Sequence, residues 1–375
     1  MASLFAGRRD PAPPRSFDSG HASAPPVFEV SEAFFPEDAP FDPEVLRTAR
    51  LARAASAEAL ADAGWERAQL SELRIGVIVG TTVGSAMNNE DFYRDYRQGG
   101  RPAMGPIRRF LHSNPAEAVA RHFGMAGPVQ TVVNACSSGT DAVGIGAQWL
   151  REDRCDLVLA GGADELCRTT YNGFISLMIT DPDPVRPFDR NRRGLNLGEG
   201  AGMLVLESES LARQRPGRVR ARLVGYGGAC DAHHLTAPHP DGAGLKRALE
   251  EALAACGARP EEIAFVNAHG TGTPDNDRVE SRTLADVLPG VPFLSTKGYT
   301  GHTLGASGGI EAAFTVACLE RGRIPASVGF AEPDPDLPGQ PVRQAMAISG
   351  RLALSQSLAF GGNNAVVIFE KGERR

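Results

Sequence analysis

The chain has 375 residues, of which 42% are hydrophobic and 22% are charged, a composition that suits a globular protein with two core-forming units or one large duplicated unit. Its formal net charge is −6 and its pI is about 5.8, which argues against electrostatic binding of nucleic acid and against a polybasic membrane anchor. No stretch approaches 18 uninterrupted apolar residues and the first residues lack the apolar core of a secretory signal, so we expect a cytoplasmic protein.

The predicted elements alternate between strands and helices. Residues 1–42 are rich in proline and glycine and predict an irregular arm over the surface, and Asp42-Pro43-Glu44 predicts the start of a helix that runs to about Gly64. The apolar runs predict strands at 74–80, 129–134, 156–161, 202–207, 219–227, 263–268, 292–296 and 364–370. Helices are predicted at 137–152, 242–257, 277–286 and 304–320. This alternation indicates an α/β fold with buried sheets between helix layers.

The two halves of the chain share one kind of junction, in which a strand ends at a small-residue turn and a helix follows. The first junction spans 131–139 and the second spans 293–305. The parallel suggests an internal duplication, with halves at 43–215 and 216–375 whose equivalent turns face each other.

Cys136 is the leading candidate nucleophile. It lies between a predicted strand and the first turn of a predicted helix, where free backbone N–H groups are expected to lower the pKa of a thiol. The following Ser137-Ser138-Gly139 leaves little bulk over the sulfur. The alternative is a buried cysteine that acts as a small apolar residue. The remaining cysteines are scattered without disulfide or metal spacing.

His269 follows a predicted strand and precedes a loop of small residues that can admit a ligand. A histidine in that place is suited to donate a hydrogen bond to a carbonyl oxygen. The alternative is a turn histidine that bonds to the backbone. In the same loop, Thr271 and Thr273 offer hydroxyl groups to a polar, linear ligand.

His302 lies in a segment, 295–311, that contains five glycines. Lys297 and Glu311 in this segment are interpreted as a charge pair behind His302. The chain has only three lysines, which favours a placed charge at Lys297 over a solvated one. The competing interpretation, a phosphate-binding loop, fails because Lys297 precedes the glycines.

A last glycine turn, 357–364, enters the final predicted strand. Its backbone N–H groups can form an oxyanion hole, and Phe360 can cover the site. The histidines at 233, 234 and 239 lack the helical i, i+4 spacing of a zinc enzyme, so they are interpreted as a loop bordering the site and no metal site is predicted.

The residues taken together resemble a known family. Cysteine, histidine, lysine, histidine, glutamate and the phenylalanine turn occur in an order similar to that of elongating, type II β-ketoacyl-acyl carrier protein synthases of the thiolase superfamily. The resemblance runs from about residue 43 to 370 and includes the segment 191–202. It implies a thiolase-like fold of duplicated α-β-α-β-α layers, an acyltransferase activity, and no metal or redox cofactor.

The resemblance also implies a role for each site residue. An acyl chain would be transferred to Cys136, and His269 and His302 would hold the thioester carbonyl of a malonyl carrier and favour its decarboxylation. Backbone N–H groups of Cys136 and Phe360 would hold an oxyanion, as expected for such sites. The remaining roles are electrostatic tuning around His302 by Lys297 and Glu311, and binding of the phosphopantetheine arm by Thr271 and Thr273. The implied partners are an acyl carrier protein and a second subunit, in a homodimer or a heterodimer.

Two departures from the family are visible. Family members usually begin with a strand and a helix ahead of the segment that here follows Leu4, so the first sheet is expected to lack a strand. They also often carry a basic residue near the position of Met178, at the carrier-docking rim. Docking is therefore expected to use other arginines, with Arg108, Arg109 and Arg192 as candidates.

Three alternatives share this fold. A chain-length factor, the non-catalytic partner of a ketosynthase, replaces the nucleophilic cysteine, which is present here. A degradative thiolase needs a Cys-x-Gly element near the C-terminus, and no cysteine follows Cys318. A starter-unit synthase uses a Cys-His-Asn site, and Gly301-His302 after Lys297 argues against it. Fatty acid and polyketide or polyene pathways both stay open, with a slight preference for the second.

Overall fold

The computed structural model describes residues 2–35, 44–215 and 217–372. The helices in these ranges are α1 (Ala2–Phe5), α2 (Arg47–Asp62), α3 (Arg67–Leu70), α4 (Glu90–Arg97), α5 (Gly105–His112), α6 (Pro115–Phe123), α7 (Ser138–Arg151), α8 (Arg168–Ser176), α9 (Glu209–Gln214), α10 (Ala243–Cys256), α11 (Pro274–Val287), α12 (Lys297–Thr300) and α13 (Ser307–Arg321). The strands are β1 (Ile75–Gly80), β2 (Val129–Val132), β3 (Leu157–Asp164), β4 (Gly200–Glu207), β5 (Ala221–Cys230), β6 (Ile263–Asn267), β7 (Phe293–Leu294), β8 (Arg323–Ile324), β9 (Met346–Ala347), β10 (Leu352–Leu358) and β11 (Asn363–Lys371).

The two large sheets repeat one topology. The first has the order β2-β1-β3-β4 and the second the order β7-β6-β10-β11-β5. In each, the first three strands are parallel and the fourth is antiparallel to its neighbour. The second sheet adds β5, antiparallel to β11, whereas β4 is an edge strand among the described residues.

Five layers stack in the order α-β-α-β-α. Helices α7 and α13 lie between the sheets and contact strands of both. Helices α2 and α6 cover the outer face of the first sheet, and α10 covers that of the second, with α11 beside α10. Strand β1 is buried along its whole length, as its continuous apolar run requires in a sheet covered on both faces. The predicted duplicated, thiolase-like fold is confirmed.

The two central helices meet through glycines. A Cβ atom added to Gly139 of α7 would lie 2.6 Å from the carbonyl oxygen of Gly305, and one added to Gly308 of α13 would lie 2.2 Å from the amide nitrogen of Thr140. Side chains at these positions would push the helices apart. Because α7 follows Cys136 and α13 follows His302, this close contact brings the two predicted junctions together.

Several predicted details are wrong or incomplete. The first long helix begins at Arg47 rather than at Glu44, while Asp42 and Pro43 lie outside the described residues. The arm 1–42 does not only lie on the surface, because Leu4 packs in the main hydrophobic core and Val27 is buried as well. The predicted strand 292–296 is only two residues long, and α12 follows it. Strand β10, at the centre of the second sheet, was not predicted.

Strands β1 to β4 fall within 75–207 and strands β5 to β11 within 221–371. The proposed domain boundaries at 43–215 and 216–375 agree with this distribution and stay a prediction. Among the described residues, no helix is both long enough and apolar enough to cross a membrane.

Candidate active site

Cys136 lies at a tight turn between β2 and α7. Ala135, immediately before it, has a positive φ of 49°, a conformation that is uncommon for a residue with a side chain. The hydroxyl of Ser138 holds this turn, since it accepts a hydrogen bond from the amide of Asn134 at 2.8 Å and donates one to the carbonyl of Ala135 at 2.6 Å. The turn therefore directs the Cys136 side chain to the base of a cleft, where it is buried.

The sulfur of Cys136 is surrounded by nitrogen groups. The Nε2 atom of His302 lies 3.0 Å away, and the backbone N–H groups of Phe360 and of Cys136 itself hydrogen-bond to the sulfur. Burial nevertheless raises the pKa of the thiol to about 11, and the two N–H groups and the Lys297 ammonium only partly offset that effect. The prediction of a lowered pKa is wrong for this geometry, because loss of hydration outweighs the hydrogen bonds and the positive charge around the sulfur.

His302 is held by its backbone and by one ring nitrogen. Its amide donates to the carbonyl of Asn196 at 2.8 Å, and its carbonyl accepts from the amide of Gly198 at 3.0 Å. The Leu304 amide donates to Nδ1 at 3.3 Å, so Nδ1 is an acceptor and the ring proton lies on Nε2. The N–H bond at Nε2 is therefore directed at the Cys136 sulfur.

His269 is fixed in a similar way at the end of β6. Glu280 accepts hydrogen bonds from the amides of His269 at 2.6 Å and Gly270 at 2.7 Å. The Nζ of Lys297 lies 3.1 Å from Nδ1 of His269. Because an ammonium can only donate, Nδ1 accepts and Nε2 carries the proton.

The two imidazole rings are neutral partners. Their centroids are 5.2 Å apart and their planes are nearly perpendicular at 87°. Burial lowers the pKa of both histidines well below the ordinary value, and the positive charge of Lys297 lowers both further. Both rings thus present a neutral Nε2–H group rather than an imidazolium.

Lys297 and Glu311 form the predicted charge pair. Nζ of Lys297 lies 2.5 Å from Oε1 of Glu311, and the exposed fractions of the two side chains are 1% and 2%. Burial raises the pKa of Glu311 to about 7, against the lowering effect of Lys297. The predicted position behind His302 needs correction, because the direct hydrogen bond of Lys297 is to His269.

Cys136, His269 and His302 place one possible ligand atom each within 4.8 Å of one another, which is close enough to surround a metal ion. The chemistry of these atoms does not suit one. Both Nε2 atoms carry protons, because each Nδ1 accepts a hydrogen bond, and the Lys297 ammonium adds a positive charge beside them. The arrangement suits an anionic oxygen instead of a cation.

The cleft above these groups has a volume of about 160 Å³. Cys136, His269 and His302 line its inner part, and Thr271 and Thr273 line it together with the segments 236–238 and 273–276. The hydroxyls of Thr271 and Thr273 are 2.8 Å apart. Phe360 also lines the cleft and stacks on Phe174, with ring centroids 5.4 Å apart and an interplanar angle of 15°.

Two family models match most of the chain. The model described as "Beta-ketoacyl synthase, N-terminal domain" matches residues 20–212, and "Beta-ketoacyl synthase, C-terminal domain" matches residues 220–331. The chain belongs to the β-ketoacyl synthase family. The predicted family, with its ketosynthase-type acyltransferase class, is thereby confirmed.

Curated relatives cover most of the chain. It is 35% identical over 343 residues to "3-oxoacyl-[acyl-carrier-protein] synthase 2" of Synechocystis sp., covering 87% of this chain and 82% of that protein. It is 37% identical over 350 residues to "Putative polyketide beta-ketoacyl synthase 1" of Streptomyces halstedii, with coverages of 88% and 83%.

Solved structures are similar over almost the whole chain. "The ishigamide ketosynthase/chain length factor" superposes with a TM-score of 0.92 at 35% identity, covering 99% of this chain and 94% of that one. "AntDE:AntF (apo): type II PKS acyl-carrier protein in complex with its ketosynthase bound to the hexaketide" has a TM-score of 0.89 at 26% identity, with the same coverages.

Two buried acids at the site were not predicted. Asp164, at the end of β3, accepts hydrogen bonds from the Thr81 hydroxyl at 2.6 Å and from the amides of Thr82 and Gly305 at 2.7 Å each, and so ties the His302 loop to the first sheet. Glu280, described above, supports the His269 loop. Asp164 could have been found from the sequence, because it stands at the end of a buried apolar strand. Glu280 lies on a helix face, and nothing in the sequence marks it as a site residue.

The predicted docking arginines differ in accessibility. Arg108 is exposed on α5 and Arg109 is partly buried. Arg192 is wrong as a candidate, because its side chain is 7% exposed and its Nη1 lies 2.6 Å from a carboxylate oxygen of Asp334. Met178 is 87% exposed, has a positive φ of 57°, and follows Leu177, which lines the cleft.

The loop with His233, His234 and His239 does border the cleft, since residues 236–238 line it. His234 Nδ1 accepts hydrogen bonds from the amides of Thr236 and Ala237, at 3.1 Å each, which is a turn role. Among the described residues, the group with metal-ligand spacing is the Cys136 site alone.

Proposed function

We propose that this chain is a catalytic β-ketoacyl-acyl carrier protein synthase, which joins an acyl chain carried on Cys136 to a malonyl unit with loss of CO₂. The observation that carries the proposal is the convergence of two neutral Nε2–H groups, from His269 and His302, on the space beside the Cys136 sulfur. The names of the curated relatives support the same reaction class.

In the first step, the sulfur of Cys136 attacks the thioester of an acyl carrier. A new thioester forms on Cys136, the bond between the acyl group and the carrier sulfur breaks, and the thiol proton leaves with the carrier as its free thiol. The backbone N–H groups of Cys136 and Phe360, which contact the sulfur, are positioned to hold the oxyanion that forms on the acyl carbon.

In the second step, a malonyl carrier binds with its thioester carbonyl against His269 and His302. Loss of CO₂ leaves an enolate, whose negative oxygen accepts hydrogen bonds from both Nε2–H groups. The carbanion then attacks the Cys136 thioester, the new carbon–carbon bond forms, and the cysteine departs as a thiolate that takes a proton from solvent. The lowered pKa values of both histidines suit this role, in which they act as neutral hydrogen-bond donors.

Lys297 and Glu311 keep these two histidines neutral and oriented. The ammonium keeps Nδ1 of His269 in use as an acceptor, and its charge disfavours protonation of either ring. Glu311 accepts a hydrogen bond from that ammonium and so holds it in place within the buried site. Thr271 and Thr273, whose hydroxyls line the cleft, bind the amide groups of the phosphopantetheine arm.

The carrier protein docks at the rim of the cleft. Exposed Met178 and Leu177 form an apolar contact there, and Arg108 and Arg109 supply positive charge. Helix α5, which carries the two arginines, and helix α8, which ends just before Leu177, both pack on the segment 86–89. A carrier protein bound to its ketosynthase is the subject of one similar structure, which supports this partner class.

A second ketosynthase-like subunit pairs with β2. This strand is an edge of the first sheet among the described residues, and open strand edges favour pairing with another chain. Val133 directly after it is 66% exposed, and Leu111 of α5 is 68% exposed. One of the similar structures is named as a ketosynthase with a chain length factor, so the second subunit is either a copy of this chain or a related one.

The alternative function is that of a non-catalytic, chain-length-factor-like subunit. The name of the similar ketosynthase/chain length factor structure is the reason to consider it. The intact set of Cys136, His269 and His302 opposes it, because a subunit without catalysis has no need of a nucleophile beside two neutral hydrogen-bond donors.

Intact-protein mass spectrometry tests the proposal. The protein is incubated with saturated and polyenoyl carrier thioesters, in wild type, Cys136→Ala and Cys155→Ala, where Cys155 is an equally buried thiol in the core. We expect an acyl adduct in wild type and Cys155→Ala, none in Cys136→Ala, and discharge of the adduct by malonyl carrier. The preferred donor then identifies the pathway. A folded protein that no donor acylates would overturn the catalytic proposal and favour the partner subunit.

A further inference from the structure

Two buried hydroxyl groups lie behind His302. The Oγ atom of Ser307 is 3.1 Å from Nδ1 of His302, and the Oγ1 atom of Thr303 is 3.0 Å from Oγ of Ser307. Each of the three residues is at most 2% exposed. The hydroxyls therefore form a chain that ends on the ring nitrogen opposite Cys136.

The donor and acceptor roles in this row of hydroxyl groups follow because each buried hydroxyl hydrogen needs an acceptor. The Leu304 amide already donates to Nδ1, so Nδ1 accepts, and the Ser307 hydroxyl must donate to it. Among the described residues, the partner of the Thr303 hydroxyl is Ser307, which leaves Thr303 as donor and Ser307 as acceptor. In the reverse direction the hydrogen of Thr303 would have no acceptor, which is rare for buried groups.

We propose that Ser307, oriented by Thr303, is a positioning residue that holds His302 in its Nε2–H form. The inference rests on the proposed function, in which that N–H group stabilises the enolate. The Leu304 amide at 3.3 Å makes a long hydrogen bond, and Ser307 supplies the second and shorter one. Two donors at Nδ1 disfavour both the other tautomer and the imidazolium, and they fix the ring plane toward Cys136.

Removal of the hydroxyl leaves the fold intact. Ser307 is the first residue of α13, where alanine is a favourable helix former. Ser307→Ala deletes one oxygen atom and keeps the Cβ, so it opens little space. Thr303→Val removes the upstream donor while preserving the side-chain shape.

The matched control lies on the same helix. Thr315 is buried and its hydroxyl donates to the carbonyl of Glu311 at 2.7 Å, away from the His302 ring. Thr315→Val therefore loses a buried hydroxyl of α13 without changing the groups around His302.

The test compares wild type with Ser307→Ala, Thr303→Val and Thr315→Val in full-length protein. Ring-¹⁵N-labelled histidine reports the tautomer of His302 by NMR, with the signal assigned by its loss in His302→Ala. The kcat and KM for decarboxylation of malonyl carrier are measured across pH.

We expect wild type and Thr315→Val to show His302 protonated on Nε2 alone. In Ser307→Ala the tautomers mix, kcat falls about five-fold, KM stays within about two-fold, and the acid limb of the kcat profile moves to higher pH, in line with the loss of one neutral hydrogen bond. Thr303→Val changes in the same direction by about two-fold.

Ser307→Ala that matches Thr315→Val in both the NMR signal and kcat would overturn the inference, since Ser307 would then be a packing residue only. The two proposals fail separately. If wild type is neither acylated nor able to decarboxylate malonyl carrier, the proposed function fails, whereas the NMR comparison still decides whether Ser307 sets the tautomer.

Discussion

The buried pair of Lys297 and Glu311 predicts a stability change that depends on pH in a defined direction. Lys297→Met removes the ammonium and replaces it with an unbranched apolar side chain. Glu311 keeps its carboxyl group but loses the neighbour that lowers its pKa, so that pKa rises above its present value of about 7.

The magnitude follows from linkage. A carboxyl with a raised pKa in the folded state contributes stability at low pH, and that contribution is lost as pH rises through the folded pKa. Below about pH 7 both proteins carry protonated Glu311, and the variant loses the hydrogen bonds from Lys297 to His269 and to Glu311, about 1 kcal/mol each. Above about pH 7, folded wild type releases the Glu311 proton and the folded variant keeps it. The loss of unfolding free energy in the variant, relative to wild type, therefore grows by about 1.4 kcal/mol per pH unit. Near about pH 8.5 it is about 2 kcal/mol larger than below about pH 7.

Urea unfolding, followed through the buried Trp149, measures the free energy at about pH 6 and about pH 8.5. Lys297→Met should lose more stability relative to wild type at the higher pH. In Lys297→Met/Glu311→Gln, which has no carboxyl to titrate, the penalty relative to wild type should instead shrink by about 1.4 kcal/mol, because wild-type Glu311 releases its proton over this range. A penalty of the single variant that is constant, or that grows as pH falls, would refute the reasoning.

Further predictions concern other buried groups. Because burial raises the pKa of the Cys136 thiol to about 11, its alkylation by iodoacetamide should accelerate with pH up to about 10, and a plateau near neutral pH would show that the helix terminus dominates. Burial, followed by the charge of Glu199, raises the pKa of Glu165 to about 7, although Ser85 and Thr48 bond to it. Glu165→Gln should therefore gain up to about 3 kcal/mol over wild type in urea unfolding between about pH 5 and about pH 8, and an unchanged difference would contradict this.

The site residues that lie directly after a strand could be predicted from the sequence. Cys136 and His269 each lie just beyond a strand that its apolar run marks clearly, and His302 lies in a glycine-rich segment before a helix. Equivalent strand ends of a duplicated fold meet at one place, so these three side chains converge as expected. Their individual roles in the reaction stay predictions until the variants are measured.

The electrostatic state of the site could not be read from the sequence. The effect of a helix terminus on Cys136 is local and visible in the order of residues, but its burial depends on the second half of the chain closing over it. The hydrogen bond from Lys297 to His269 also depends on tertiary structure and not on the local order of residues. Lys297 stands five residues before His302 in the chain, yet β6 and β7 are neighbours in the sheet and bring it to His269.

Strand β10 could not be predicted from the apolar pattern of the sequence. Its sequence contains Ser355, Gln356 and Ser357, which break the apolar run that marks other central strands. All three are buried; Gln356 donates to Glu280 at 2.7 Å and Ser357 bonds to Thr140 at 2.8 Å, whereas the Ser355 hydroxyl has no hydrogen-bond partner among the described residues. The partners of Gln356 and Ser357 come from helices of both halves, so these two polar residues indicate proximity to the site rather than exposure to solvent.

The hydrogen-bond pattern also bears on how the carbanion is made. A reaction that forms a carbanion by removing a proton needs a base beside the substrate, whereas decarboxylation forms it without one. Near Cys136, both histidines use Nδ1 as an acceptor and present protonated Nε2 atoms, and the Oε1 carboxylate oxygen of Glu311 bonds to the Lys297 ammonium. The inner cleft is thus lined by hydrogen-bond donors, which stabilise an enolate but cannot accept a proton from its precursor. This polarity favours decarboxylative condensation over the reaction of a degradative thiolase, independently of the position of any cysteine near the C-terminus.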